Sequence, residues 1–290
     1  MAGASAPSAS ALSKGRIWQI LWRRKAALLG LTLLVIMILA ALFAPWVATH
    51  KPDAMRIAQR LKPPSGINFF GTDEFGRDLF SRVVYGGRIS LTVGFLTVCI
   101  SCVLGVTLGI LAGFFKRLDT GLTRIIDAMM SFPDILLAIA LVAVLGPSLV
   151  NVVTALGIVY TPRVARVVRA STLVIRELPF VEAARALGTP TWRILGTHVL
   201  CNLTSPIMVQ ATFIFAYAIL AEAGLSFLGV GVSPEIPTWG TIISTGQQYA
   251  GKADWIMIFP GIAIVTAVFS LQMLGDALRD MLDPKLRKDL

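Results

Sequence analysis

The sequence predicts an all-α integral membrane protein with six transmembrane helices, on three observations. Of its 290 residues 56% are hydrophobic and only 14% charged, with a mean hydropathy of +0.76, the balance of a chain that lipid surrounds. Apolar runs of spanning length recur near 27–47, 90–114, 124–146, 148–168, 203–228 and 256–277. Finally, the 26 Lys and Arg residues are scattered at the ends of those runs instead of forming one aromatic-rich patch, so the net charge of +10 points to lipid headgroups and not to nucleic acid.

Taken in order, residues 1–25 are a tail of small residues followed by Lys14, Arg16, Arg23, Arg24 and Lys25. The first helix, 26–48, outlasts the apolar core of a signal peptide and is expected to stay as an anchor. Residues 49–87 form an external connector, 88–277 the main transmembrane domain and 278–290 a second tail. Basic residues are much more numerous on the side of the two tails, which places both termini in the cytoplasm. Gly105, Gly109 and Gly113 repeat every four residues in the second helix. Such spacing lets two backbones approach closely, either at a seam within one subunit or at an interface between subunits. Pro162 and Arg163 interrupt the fourth apolar run. Cys99, Cys102 and Cys201 lie in or beside apolar runs and read as packing residues.

Catalytic motifs are missing. The sequence has no G-x-x-x-x-G-K-[ST] phosphate loop, no H-E-x-x-H and no G-x-S-x-G, and its two histidines exclude a His-rich metal site. Two carboxylates inside apolar runs, Glu222 and Asp134, are candidates for a translocation path because desolvating a charge is costly. The alternative for each is a pairing with a neighbouring helix or a position at the membrane interface. A self-sufficient channel or carrier would call for inverted repeats, and none is evident.

Between the fourth and fifth apolar runs lies EAARALGTPTWRIL, Glu182 to Leu195. Pro179 suits a first helical turn, Glu182 then sits near the positive end of the helix dipole, and Gly188 suits the stop. Thr189 is placed to cap a second short helix with Pro190 at its first position. Phe180, Ala184 and Leu187 are expected to share one face of the first helix, and Trp192 and Leu195 one face of the second. Such an element can seat in a partner's groove or lie on the bilayer.

Five segments carry a family resemblance. Glu182, Ala183, Ala184 and Gly188, with Arg185 between them, resemble the E-A-A-x-x-x-G loop of ABC importer permeases, here at about 176–197. FGTDEFGRDLFSRVVYGGRISLTVG (Phe70 to Gly94) and AEAGLSFLGVGVSPEIPTWGTII (Ala221 to Ile243) resemble signatures of the second permease in oligopeptide, dipeptide and nickel importers. FPG (Phe259 to Gly261) and LGDALRDMLDPKLR (Leu274 to Arg287) resemble that family's last helix and tail. The chain departs from the pattern where I-x-L-P falls on His198, Leu200 and Cys201, and at Gln272, where Asn is more usual.

The resemblance implies the type-1 ABC importer permease fold in a bacterial inner membrane. It also implies a second homologous permease, two ATPase subunits that bind ATP and Mg, and an external substrate-binding protein; no cofactor or metal is expected on this chain. Glu182 to Gly188 would couple to the ATPases. Gly71, Asp73, Gly76, Arg77, Asp78 and Trp239 would lie outside, shaping an interfacial helix or a dock for the binding protein, or acting as a structural connector. The substrates implied are dipeptides or short oligopeptides, with nickel chelates, glutathione or opines as alternatives.

Overall fold

The computed structural model describes residues 25–282. The basic residues before Lys25, and the tail with Lys285, Arg287 and Lys288, lie outside the described residues. Helix α1 (Lys25–Leu42) is followed by the single turn α2 (Ala44–Val47), and a connector then leads into the long α3 (Leu79–Phe114). Next come α4 (Lys116–Met130), α5 (Asp134–Leu145), α6 (Leu149–Ile175), α7 (Pro179–Ala186) and the one-turn α8 (Thr191–Arg193). A π-helical turn over Ile194–Val199 joins α8 to α9 (Leu200–Phe227), and α10 (Trp239–Gly246) and α11 (Trp255–Leu282) complete the described chain.

Among the described residues four helices are long and apolar enough to cross a membrane: α1, α3, the rod Thr191–Phe227 and α11, with α4 and α5 a fifth span if taken as one broken helix. The remaining expected span is α6, whose 27 residues have the length. Arg163, Arg166 and Arg169 lower its hydropathy, yet it is enclosed by other helices for much of its course.

Two boundaries differ from the sequence reading. Helix α3 begins at Leu79, inside the stretch assigned to the connector and well before residue 90. Asp78 caps it, Oδ2 accepting from the Ser81 N–H at 2.9 Å, so the polar first turns that carry Arg82 and Arg88 are helical although no apolar run marks them. The apolar run 124–146 is not one helix but two, bent by 92°. Pro133, lacking an N–H, stops the α4 ladder and opens α5.

The glycine stripe packs within the chain. Cβ atoms built on Gly105, Gly109 and Gly113 would meet Val164, Val168 and Thr172 of α6 at 2.4, 2.7 and 2.6 Å. The register rises on both helices together, so α3 and α6 run parallel, with α9 antiparallel against them. Where lipid removes the hydrophobic drive between helices, this closeness supplies attraction through dispersion. One buried cluster joins α3, α5, α6 and α9. A second joins α1 and α11 to α3 and α10.

Candidate functional site

The connection between α6 and α9 is built by its punctuation. Pro179 opens α7, and Gly188, at φ +74°, closes it. The Gly188 N–H donates to Arg185 O at 2.9 Å and the Thr189 N–H to Ala184 O at 3.0 Å, the paired bonds of a Schellman stop. Beyond it the expected Thr189 cap does not form. Pro190 is itself the capping position, its carbonyl taking the N–H groups of Arg193 and Ile194. The second short helix is also not free-standing, because the π-turn makes it the first turns of the rod that continues through α9. Position 201, where the family pattern has proline, keeps its backbone donor as Cys201, and the helix runs through it unbroken.

The faces of α7 differ from the expectation as well. Val181 and Ala184 turn inward, whereas Phe180 and Leu187 point out, Leu187 at 85% exposure, together with Trp192 at 70%. Glu182, Ala183 and Arg185 are also exposed. The Arg185 guanidinium stacks 4.9 Å from the Phe114 ring at the end of α3. The result is an apolar, small-residue knuckle pinned to two helix ends.

A half-exposed polar cluster runs along α6. Asp134, the first residue of α5, pairs with Arg163 of α6. The Arg163 guanidinium also stands 5.6 Å from the Tyr160 ring and 5.1 Å from that of Tyr217 on α9. Toward α7, Arg166 pairs with Asp127 at 2.7 Å and Arg169 with Asp119 at 2.6 Å. Three arginines spaced one turn apart on α6 thus hold three aspartates of α4 and α5.

Glu222 is fully buried. Its Oε1 accepts from Ser226 Oγ at 2.9 Å and Thr238 Oγ1 at 2.8 Å, and its Oε2 has no partner. Thr238 caps α10 with a reciprocal bond to Thr241, so the carboxylate fastens α10 to α9. Beside it Trp239 is buried, its backbone N–H donating to Ser90 Oγ at 3.1 Å and its Nε1 to Val83 O at 2.9 Å.

In the connector, Gly71 and Gly76 have φ of +80° and +70°, and a Cβ on Gly76 would lie 1.9 Å from Arg56 O. These turns fold the acidic and basic side chains onto one another. Asp73 Oδ1 accepts from the N–H groups of Phe75 and Arg77, and Asp73 Oδ2 and Glu74 Oε1 hold the Arg77 guanidinium at 2.5 and 2.9 Å. Burial, and then the neighbouring Asp73, push the Glu74 carboxyl above its ordinary value, and its Oε2 lacks a donor. Asp73, Glu74, Arg77 and Asp78 are all buried, so these side chains hold the connector shut and present little to solvent.

Residues 105–288 match the family of binding-protein-dependent transport system inner membrane components, and residues 15–64 match the N-terminal transmembrane domain of oligopeptide transport permease C. The chain belongs to this family of ABC importer permeases. The permease is 49% identical to a putative peptide transport system permease protein of Brucella suis, over 92% of this chain and 90% of that one. It is 45% identical to the dipeptide transport system permease protein DppC of Alkalihalophilus pseudofirmus, over 91% and 88%. A chain of the MetNI methionine ABC transporter shares the fold, with a TM-score of 0.58 at 21% identity, covering 71% of the permease and 98% of that chain.

The Arg163, Arg166 and Arg169 ladder was not anticipated as a unit. In the sequence Arg163 stands out only as an interruption of the fourth apolar run, and all three count among the basic residues that set the orientation. Their spacing of three was the available signal, but Asp119 and Asp127 are remote in sequence, and only the broken α4–α5 element brings them onto α6.

Proposed function

We propose that this permease moves dipeptides or short oligopeptides across a bacterial inner membrane, with both termini cytoplasmic. It acts with a second homologous permease, two ATPase subunits that bind ATP and Mg, and an external binding protein, and has no catalytic group of its own. The peptide substrate is supported by the similarity to peptide and dipeptide transport permeases over nine-tenths of the chain. The carrying observation is the α7 knuckle: Phe180, Leu187 and Trp192 stand exposed around Ala183 on a turn set by Gly188.

Closure of the ATPase pair displaces α7, which is tied to the end of α3 by Arg185. The turn hands that displacement to a rod continuous from Thr191 to Phe227, so a push at the loop shifts the whole of α9. Replacing Gly188 with valine tests this. A Cβ there meets no neighbouring atom within 4 Å, so insertion and assembly are expected to survive. A β-branched residue in the left-handed region costs roughly 1–2 kcal/mol, enough to rebuild the turn. In proteoliposomes Gly188→Val is expected to keep ATP hydrolysis and lose most peptide uptake; normal coupled uptake would remove α7 from the coupling path.

A further inference from the structure

The Asp134–Arg163 pair lies at the middle of a helix of spanning length. Arg163 lies near the middle of α6, roughly 20 Å from either end at 1.5 Å per residue. Its neighbours Thr161, Val164 and Ala165 are buried, yet both partners of the ion pair remain 34% exposed. Glu222, a carboxylate held by two hydroxyls, is by contrast sealed completely. Half-open charges at mid-helix belong at a water-accessible passage, because hydrocarbon does not tolerate them. Three helices meet there: α5 supplies Asp134, α6 supplies Arg163 and Tyr160, and α9 supplies Tyr217, itself exposed. The Tyr160 hydroxyl donates to Tyr217 O at 3.4 Å, tying the α6 and α9 sides of the opening together.

An ion pair suits a particular passenger. It carries no net charge, so it gives no general preference to cations or anions. A zwitterion can open it by exchange, each charge passing from one counter-charge to another without standing alone in a poorly solvated place. We propose that Asp134 and Arg163 receive the two charged ends of a peptide during translocation, Asp134 the ammonium and Arg163 the carboxylate, an assignment that rests on the peptide reading above. With no peptide present the two groups close on each other. The planar guanidinium, steadied by two aromatic rings, matches a carboxylate with two parallel hydrogen bonds.

The test uses the complete importer with its binding protein, reconstituted in proteoliposomes and supplied with a free dipeptide, its N-acetylated form or its C-amidated form. Asp134→Asn combined with Arg163→Gln replaces the pair by neutral groups that can still hydrogen-bond each other. Uptake of the free dipeptide is expected to fall roughly tenfold or more while ATP hydrolysis stays within about twofold. Retained uptake in that double variant would make the pair a structural clasp and overturn the assignment.

The single variants are read as uptake ratios within one preparation, so losses of assembly cancel, and each ratio is divided by that of the unaltered importer, so preferences of the binding protein cancel as well. Arg163→Gln is expected to lose the preference for free over C-amidated dipeptide, and Asp134→Asn the preference for free over N-acetylated dipeptide. An equal fall for all three peptides would also overturn the assignment. If the unaltered importer moves no peptide while hydrolysing ATP, the peptide reading itself fails, and this assignment with it.

Discussion

Glu222 is a carboxylate at the end of an apolar helix whose Oε1 has two hydroxyl donors and whose Oε2 has none. Its place in an apolar run was legible in the sequence; Thr238, its more distant partner, was not, because the intervening turn had to be folded first. Glu222→Ala strands the Ser226 and Thr238 hydroxyls, and a loss of about 1–3 kcal/mol is expected. It would be read as a lower unfolding midpoint of the purified complex. Glu222→Gln keeps an acceptor for both hydroxyls and should leave uptake near normal. Uptake lost at an unchanged midpoint would instead assign Glu222 to the path.

Among the helices, α3 and α6 are the pair whose contact was most clearly written in advance. The four-residue glycine spacing pointed to close packing, and the structure assigns that packing to a seam inside the chain, with Gly157 of α6 receiving Ile100 in return. Backbone on one side leaves no slack at Gly109, where a Cβ would lie 2.7 Å from Ala165 O. Gly109→Val is expected to destabilise the purified protein by about 1–3 kcal/mol, as overpacking does. An unshifted thermal midpoint would show that the seam can relax. The α4–α5 element was less legible. Hydropathy over 124–146 sums across Pro133 without registering that the helix direction changes there.

The assembled bundle joins three features along α9: the knuckle at its beginning, Tyr217 beside the ion pair, and Glu222 at the capped α10. A rod that touches all three gives the loop a mechanical route to both. Tagged permease drawn from native membranes in mild detergent is expected to bring a second permease and ATPase subunits with it, and to show ATP hydrolysis. Recovery of the chain alone, inactive across several mild detergents, would favour a self-sufficient channel or carrier.

Apolar run length, proline and glycine punctuation, and ordered motifs were enough to establish a helical membrane permease and the loop at Glu182 to Gly188, because those signals act within a few residues. They were not enough to orient α7: which of Phe180, Val181 and Leu187 turns inward depends on the ends of α3 and α9, against which the loop is laid. That the charges of the connector motif pair with one another in the interior was likewise not legible, since it takes the turns at Gly71 and Gly76 to return the chain on itself. The ion pairs of α6 follow the same rule. A charge is visible in a sequence, whereas its counter-charge is fixed by packing that brings distant segments within 3 Å.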